Sequence, residues 1–124
     1  MPLVIFVDDS VTMLALTRIV TSLMPIEVKQ YTQAELALAE IKAGMTPDLI
    51  ITDLNMPVMN GLEFIEGLRR VESTKNTPCL MLTSETNAEI KQQGKSLGLI
   101  GWILKPFNPD KLEQAITRIL KLPV

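Results

Sequence analysis

An open, doubly wound α/β sheet, with five parallel strands covered by five helices, is the fold this sequence predicts. Three observations carry that reading. Short apolar runs recur along the chain, and each one ends in polar residues. Between them lie segments of helical periodicity, opened or closed by capping residues, Gly or Pro. The connections are short, with no linker, no low-complexity tract and no repeat beyond the alternation itself. Such alternation forces parallel strands joined by right-handed crossovers, with helices on both faces.

Leu3 to Val7 (LVIFV) is continuously apolar, as a strand buried on both faces must be, and it leads into Asp8-Asp9. Ser10 is placed to cap a helix that runs through about Met24 and is closed by Pro25. At about 100° per residue, Met13, Leu16, Ile19, Val20 and Leu23 fall on one arc, the arc expected to face the sheet. Val11, Leu14 and Ala15 fall opposite, beside Arg18, Thr21 and Ser22, and that apolar outer group reads as a docking stripe for a partner's helices. Glu27 to Tyr31 alternates, which suits a strand nearer the sheet edge. Thr32 and Glu35 form a T-x-x-E capping box before Ala34, Leu36, Ala37, Leu38 and Ile41, and Gly44 stops that helix.

Leu49 to Thr52 runs apolar into Asp53, bounded by Pro47-Asp48 and Asn55-Met56-Pro57. After the loop Leu54 to Asn60, Leu62, Phe64, Ile65 and Leu68 mark a third helix, and Glu72 to Pro78 is polar and looped. Cys79 to Leu82 is another buried strand, leaving at Thr83-Ser84. Thr86 and Glu89 offer a second capping box for a helix that Gly94 weakens by about 1 kcal/mol relative to Ala. Trp102 to Leu104 is the last strand and leaves at Lys105-Pro106. Asn108-Pro109 supplies a cap with proline at the first helical position, and Leu112, Ala115, Ile116, Ile119 and Leu120 form one stripe on the final helix.

The 124 residues are read as one domain, 1–124, large enough to bury a core without staples. With 47% hydrophobic and 4% aromatic residues, that core is aliphatic. A net charge of −2 argues against direct nucleic-acid binding through a broadly basic surface. No apolar run approaches the roughly twenty residues of a membrane span. Met1-Pro2-Leu3 leads straight into the first strand pattern, so a cytoplasmic soluble domain is expected. Cys79 is alone and reads as a buried structural thiol. The absence of histidine leaves carboxylates, hydroxyls and amines for any chemistry.

In a doubly wound sheet the carboxyl ends of the strands share one edge, where ligands bind. Asp8-Asp9, Asp53, Thr83 and Lys105 all sit at such exits. Taken singly, each has an ordinary explanation as a cap, a turn former or a surface residue. Taken together, three carboxylates repel unless a cation sits among them, and an all-oxygen set points to a hard ion, Mg²⁺ before Ca²⁺. With Thr83 and Lys105 to bind anionic oxygens, the cluster describes a phosphoryl site with Asp53 as nucleophile.

The motifs VDDS at Val7 to Ser10, TDLNMPVMNG at Thr52 to Gly61, Thr83-Ser84 and LKPF at Leu104 to Phe107 resemble, over the full length, the CheY-like receiver domains of bacterial two-component signalling. That resemblance implies the strand order 2-1-3-4-5, Asp53 as phosphoacceptor, Asp9 as a direct Mg²⁺ ligand and Asp8 as the acid holding the metal's water. It further implies a ligand from the Asn55 backbone carbonyl, phosphoryl contacts from Thr83 and Lys105, Trp102 at the rotating switch position, and a cis Lys105-Pro106 bond. The implied partner is a histidine kinase or histidine phosphotransfer protein, and the only reactions catalysed are the chain's own phosphorylation and dephosphorylation. Ser84 stands where Ala or Gly is common, Asn60 replaces a common Asp, and Trp102 is larger than the usual Tyr or Phe and lacks its hydroxyl. Three other readings compete: a flavin module, disfavoured because Asp8-Asp9 would repel an FMN phosphate; a Mg²⁺-dependent phosphohydrolase, for which the short loops leave little substrate pocket; and a degenerate receiver used only for docking, against which the complete site residues speak.

Overall fold

The computed structural model describes residues 1–123. Its elements are β1 (Leu3–Val7), α1 (Val11–Thr21), β2 (Glu27–Tyr31), α2 (Ala34–Lys42), β3 (Leu49–Thr52), α3 (Gly61–Arg69), β4 (Cys79–Thr83), α4 (Ala88–Ser96), β5 (Leu99–Leu104) and α5 (Pro109–Leu120). The sheet is wholly parallel in the order β2-β1-β3-β4-β5, as the resemblance implies.

Apolar residues alternate across the sheet, so each central strand feeds two cores. Ile5, Val7, Ile50 and Met81 pack with Ala34, Ala37, Leu38 and Ile41 of α2 and with Phe64, Ile65 and Leu68 of α3. On the other face Val4, Phe6, Leu49, Ile51, Leu80 and Leu82 pack with Leu14 of α1 and with Leu112 and Ile116 of α5. The central strands are thereby fixed from both sides. Edge strand β2 exposes Glu27 and Lys29, charges that discourage pairing with another sheet.

Helix α1 is rotated from the face expected from its apolar period: Val20 packs against the core as expected, but Leu16 and Ile19 turn outward and Leu14 turns inward. It buries Leu14, Thr17 and Thr21, while Val11 (72%) and Ile19 (69%) are exposed and Leu16 is partly so; Leu23 (98%) lies just past its end. The docking stripe therefore cannot include Leu14, which lies in the core. Thr17 and Thr21 can face the sheet because their hydroxyls are satisfied within the helix. Thr17 Oγ1 donates to Leu14 O at 2.9 Å and Thr21 Oγ1 donates to Thr17 O at 2.9 Å. From β2, Gln30 Nε2 also donates to Leu14 O at 2.6 Å and pins the helix in that rotation. The helix ends at Thr21 rather than near Met24.

Both expected threonine capping boxes are replaced one residue later. Gln33 is the N-cap of α2 and makes no side-chain cap bond, while Asn87 caps α4 by accepting from Ile90 N at 3.0 Å. The Glu85 carboxylate accepts from Thr86 N at 3.0 Å and Asn87 N at 3.1 Å, so the turn is organised ahead of Thr86. A capping box does form on α3, between Asn60 and Glu63. Strand β5 begins at Leu99, three residues before the expected start at Trp102, and carries Gly101 through its middle opposite Leu80. A Cβ at Gly101 would stand 2.5 Å from Leu80 Cδ2, so this glycine serves close strand packing and does not break the strand.

Candidate functional site

The pairing of β1, β3 and β4 sets the acid edge. Val7 is registered opposite Thr52, so Asp8 and Asp53 leave adjacent strands at the same level. Asp53 N donates to Val7 O at 2.8 Å and Asp8 N to Tyr31 O at 3.0 Å, which extends the ladder through both aspartates. Lys105 follows Leu104, itself paired with Thr83, and Lys105 N donates to Thr83 O at 2.9 Å. The peptide bond from Lys105 to Pro106 is cis.

These registers bring one ammonium between two carboxylates. Lys105 Nζ donates to Asp8 Oδ2 at 2.7 Å and to Asp53 Oδ2 at 3.1 Å. The remaining oxygens are also engaged: Asp8 Oδ1 accepts from Ser10 N at 2.9 Å, and Asp53 Oδ1 from Leu54 N at 2.7 Å. Asp8 is 4% exposed and Asp53 8%, whereas Asp9 is open to solvent. Burial raises the Asp8 carboxyl above its ordinary value, against the opposing pull of Lys105 and Ser10 N, and the neighbouring Asp53 charge adds to the rise. Burial acts to lower Lys105, but its bonds and charge contacts with Asp8 and Asp53 outweigh that and hold its pKa above the usual lysine range.

One carboxylate oxygen from each of Asp8, Asp9 and Asp53 lies within 4.8 Å of the other two. Three hard carboxylates against one ammonium leave a local charge that a divalent cation balances, and the donor set suits Mg²⁺. Asn55 lies exposed in the loop two residues beyond Asp53. The loop is closed from behind by Gly61: its N–H donates to Leu54 O at 2.8 Å, and a Cβ there would stand 2.2 Å from Asp53 O. Only glycine lets α3 start so close to the acid.

Thr83 is fully buried and does not bond Asp53 or Lys105 through its side chain; its Oγ1 accepts from Glu85 N at 3.3 Å. Trp102 is half-buried against the α2–α3 core, and its indole Nε1 donates to Glu85 O at 2.9 Å. The indole thus finds a partner despite lacking a phenolic hydroxyl. The Glu85 peptide joins Thr83 to Trp102, a link with no signal in the sequence. Ser84 is exposed beside it.

The model of the response regulator receiver domain family matches residues 4–117. Chemotaxis protein CheY-3 of Vibrio cholerae is 34% identical over 85 residues, 68% of this chain and 65% of that protein. The cyclic di-GMP phosphodiesterase response regulator RpfG of Xanthomonas campestris is 31% identical over 121 residues, 96% of this chain but 32% of RpfG. The chain therefore spans only part of the curated relatives it matches. Among solved structures, chemotaxis protein CheY4 of Vibrio cholerae superposes with a TM-score of 0.88 at 40% identity, covering 96% of this chain and 98% of that one. With its 2-1-3-4-5 sheet and acid-lined edge, this chain belongs to the response regulator receiver domain family.

Proposed function

We propose that residues 1–124 form one receiver unit that accepts a phosphoryl group on Asp53 from a phosphohistidine and signals through the resulting change at its surface. The observation that supports this most directly is the position of Asp53, near the surface between the Asp8–Asp9 pair and Lys105 Nζ. Asp8, Asp9, Asp53 and the Asn55 carbonyl would hold Mg²⁺, which when bound supplies positive charge opposite the phosphoryl oxygens. A carboxylate oxygen of Asp53 forms the new bond to phosphorus as the phosphorus–nitrogen bond of the donor breaks, and the imidazole keeps that electron pair. Lys105 moves its contact from the carboxylates to a phosphoryl oxygen, and Thr83 supplies its hydroxyl to another. No other substrate is needed, so catalysis is confined to the chain's own phosphorylation and dephosphorylation.

The chain has no histidine, so the donor is a separate histidine kinase or histidine phosphotransfer domain. Val11, Ala15 and Ile19 recur every fourth residue along the exposed side of α1, with exposed Leu23 just past its end, and begin beside Asp9, where a donor helix can rest. The proposed compartment is the cytoplasm, and no described helix is long and apolar enough to cross a membrane. Phosphorylation of Asp53 would bias the α4–β5–α5 face beside Trp102, where an output protein would bind. Incubation with acetyl phosphate and Mg²⁺ should add one phosphoryl group by intact mass, and Asp53→Asn should abolish it. Undiminished labelling of that variant would overturn the proposal.

A further inference from the structure

Helix α1 has two sides that could lie on the sheet. Met13, Leu16, Ile19 and Val20 share one direction, and Leu14, Thr17 and Thr21, the residues it buries, lie roughly 120° round the helix from them. By apolar content the first side is the better, since it sets Leu16 and Ile19 against Leu14 and two threonines. The helix nonetheless leaves Leu16 45% and Ile19 69% exposed. Thr17 and Thr21 donate to carbonyls of their own helix whichever way it faces, so they permit the observed rotation without choosing it. The choice comes from outside the helix.

Gln30 is half-buried on edge strand β2, registered opposite Phe6 of β1 on the sheet face that carries α1. A primary amide offers two N–H donors and one carbonyl oxygen, and here every one is engaged with α1. Nε2 donates to Leu14 O at 2.6 Å and to Thr17 Oγ1 at 3.2 Å, and Oε1 accepts from Arg18 Nε at 3.3 Å. Turning α1 by roughly 120° would carry all three partners away from β2 and leave the amide half-buried and unpaired. Helix α5 covers the same face without such help. It buries Leu112 and Ile116, and among the described residues none of its side chains bonds a strand.

We propose that Gln30 is a positioning residue for phosphotransfer: by fixing the rotation of α1 it selects the apolar face, Val11, Ala15 and Ile19, that this helix presents to the donor's helix. The link to the donor rests on the proposed function, whereas the fixing of α1 does not. A face that begins beside Asp9 meets a donor helix at the acid edge only in one rotation of α1. Strand β1 stands between Gln30 and Asp53, so residue 30 acts on the face and leaves the acids alone.

Thiol labelling reads the rotation, and phosphotransfer reads its use. Cys79, the only cysteine, is fully buried, and burial pushes its thiol up to about 11, so it stays silent. Ile19→Cys should react readily with a maleimide, and adding Gln30→Leu should slow that reaction about tenfold as residue 19 turns inward. Gln30→Glu keeps the size but loses both donors; it should act alike, and it decides if Gln30→Leu does not fold. With a phosphorylated histidine phosphotransfer domain as donor, Gln30→Leu should raise KM about tenfold, keep kcat within about twofold and leave labelling by acetyl phosphate unchanged. A maleimide reaction slowed in neither variant would overturn the inference. So would an unchanged KM, or equal losses from both phosphodonors. Failure of the wild type to take phosphate from acetyl phosphate would sink the proposed function instead, and the maleimide rates would still decide the rotation.

Discussion

Replacing Gly61 with alanine should distort the acid edge from behind, although alanine is the better helix former. The added Cβ would lie 2.2 Å from Asp53 O, 3.0 Å from Leu54 Cα and 3.1 Å from the Asp53 carbonyl carbon. A carbon–oxygen contact is comfortable near 3.3 Å, so the start of α3 and the end of β3 must part by about 1 Å. All three crowding atoms are backbone, and no side-chain rotation relieves them. The separation also stretches the bond from Gly61 N to Leu54 O. Overpacking of this kind costs about 1–3 kcal/mol, against a propensity gain of at most about 1 kcal/mol, so a net loss of about 1–2 kcal/mol is expected. Gly67, six residues on in the same helix, provides the control. Its added Cβ meets only the Leu38 side chain, Cδ2 at 3.0 Å and Cδ1 at 3.6 Å, and no backbone, so a shift of Leu38 by a few tenths of an ångström suffices and Gly67→Ala should be neutral or stabilising by up to about 1 kcal/mol. Urea unfolding followed by Trp102 fluorescence measures both, with the slope unchanged. In Gly61→Ala, displacing Asp53 by about 1 Å should also slow labelling by acetyl phosphate by about 100-fold. A Gly61→Ala protein as stable as the wild type would refute the steric reasoning.

Leu14→Asp should destabilise the chain by about 3 kcal/mol or more, because it puts a carboxylate into the α1–α5 core. Ile19→Asp should change stability by no more than about 0.5 kcal/mol; it should slow transfer from a phosphohistidine protein by about tenfold while sparing acetyl phosphate labelling. Equal loss in both reactions would remove α1 as the donor's resting place. Asp9→Ala should weaken Mg²⁺ binding by about tenfold or more, read by Trp102 fluorescence, and an unchanged affinity would remove Asp9 from the ligand set. Burial and the hydroxyl's bond to Glu40 push Tyr31 up to about 12. Since the folded chain keeps a proton that the unfolded chain releases near 10.0, this group's contribution to stability falls as pH rises from about 10 to about 12. Tyr31 is the only tyrosine, so phenolate absorbance isolates its midpoint, which Glu40→Gln should lower.

What the sequence showed clearly was the sheet, because buried parallel strands must be continuously apolar and their exits must not be. Asp8, Asp53, Thr83 and Lys105 could be set at one edge from those runs alone. The rotation of α1 could not. A period count treats Thr17 and Thr21 as polar, yet hydroxyls that bond their own helix carbonyls bury readily. The true caps at Gln33 and Asn87 were hidden behind threonines of equal local merit, and Glu85 decided the second case by taking the amides of Thr86 and Asn87. Gly94 looked like a weakness in its helix, and Gly101 lay outside the expected last strand. Only the third dimension shows Leu99 and Leu80 occupying the space beside them. Arg69 of α3 carried no signal, since its guanidinium donates to carbonyls from two separate turns, Thr74 and Thr77 before β4 and Leu97 after α4.

Lys105 gives the acid edge a counter-ion that is part of the chain. With Nζ on Asp8 and Asp53, and backbone amides on their other oxygens, the two buried carboxylates are compensated before any ion arrives. Where Mg²⁺ binds as proposed, folding and metal uptake would thereby be separate events, unlike in small metal-stapled domains whose ligands cannot assemble without their ion. On the proposed function, such a chain would wait in its folded form through changes in divalent ion supply, and the ion's availability would set when it reacts without deciding whether it exists.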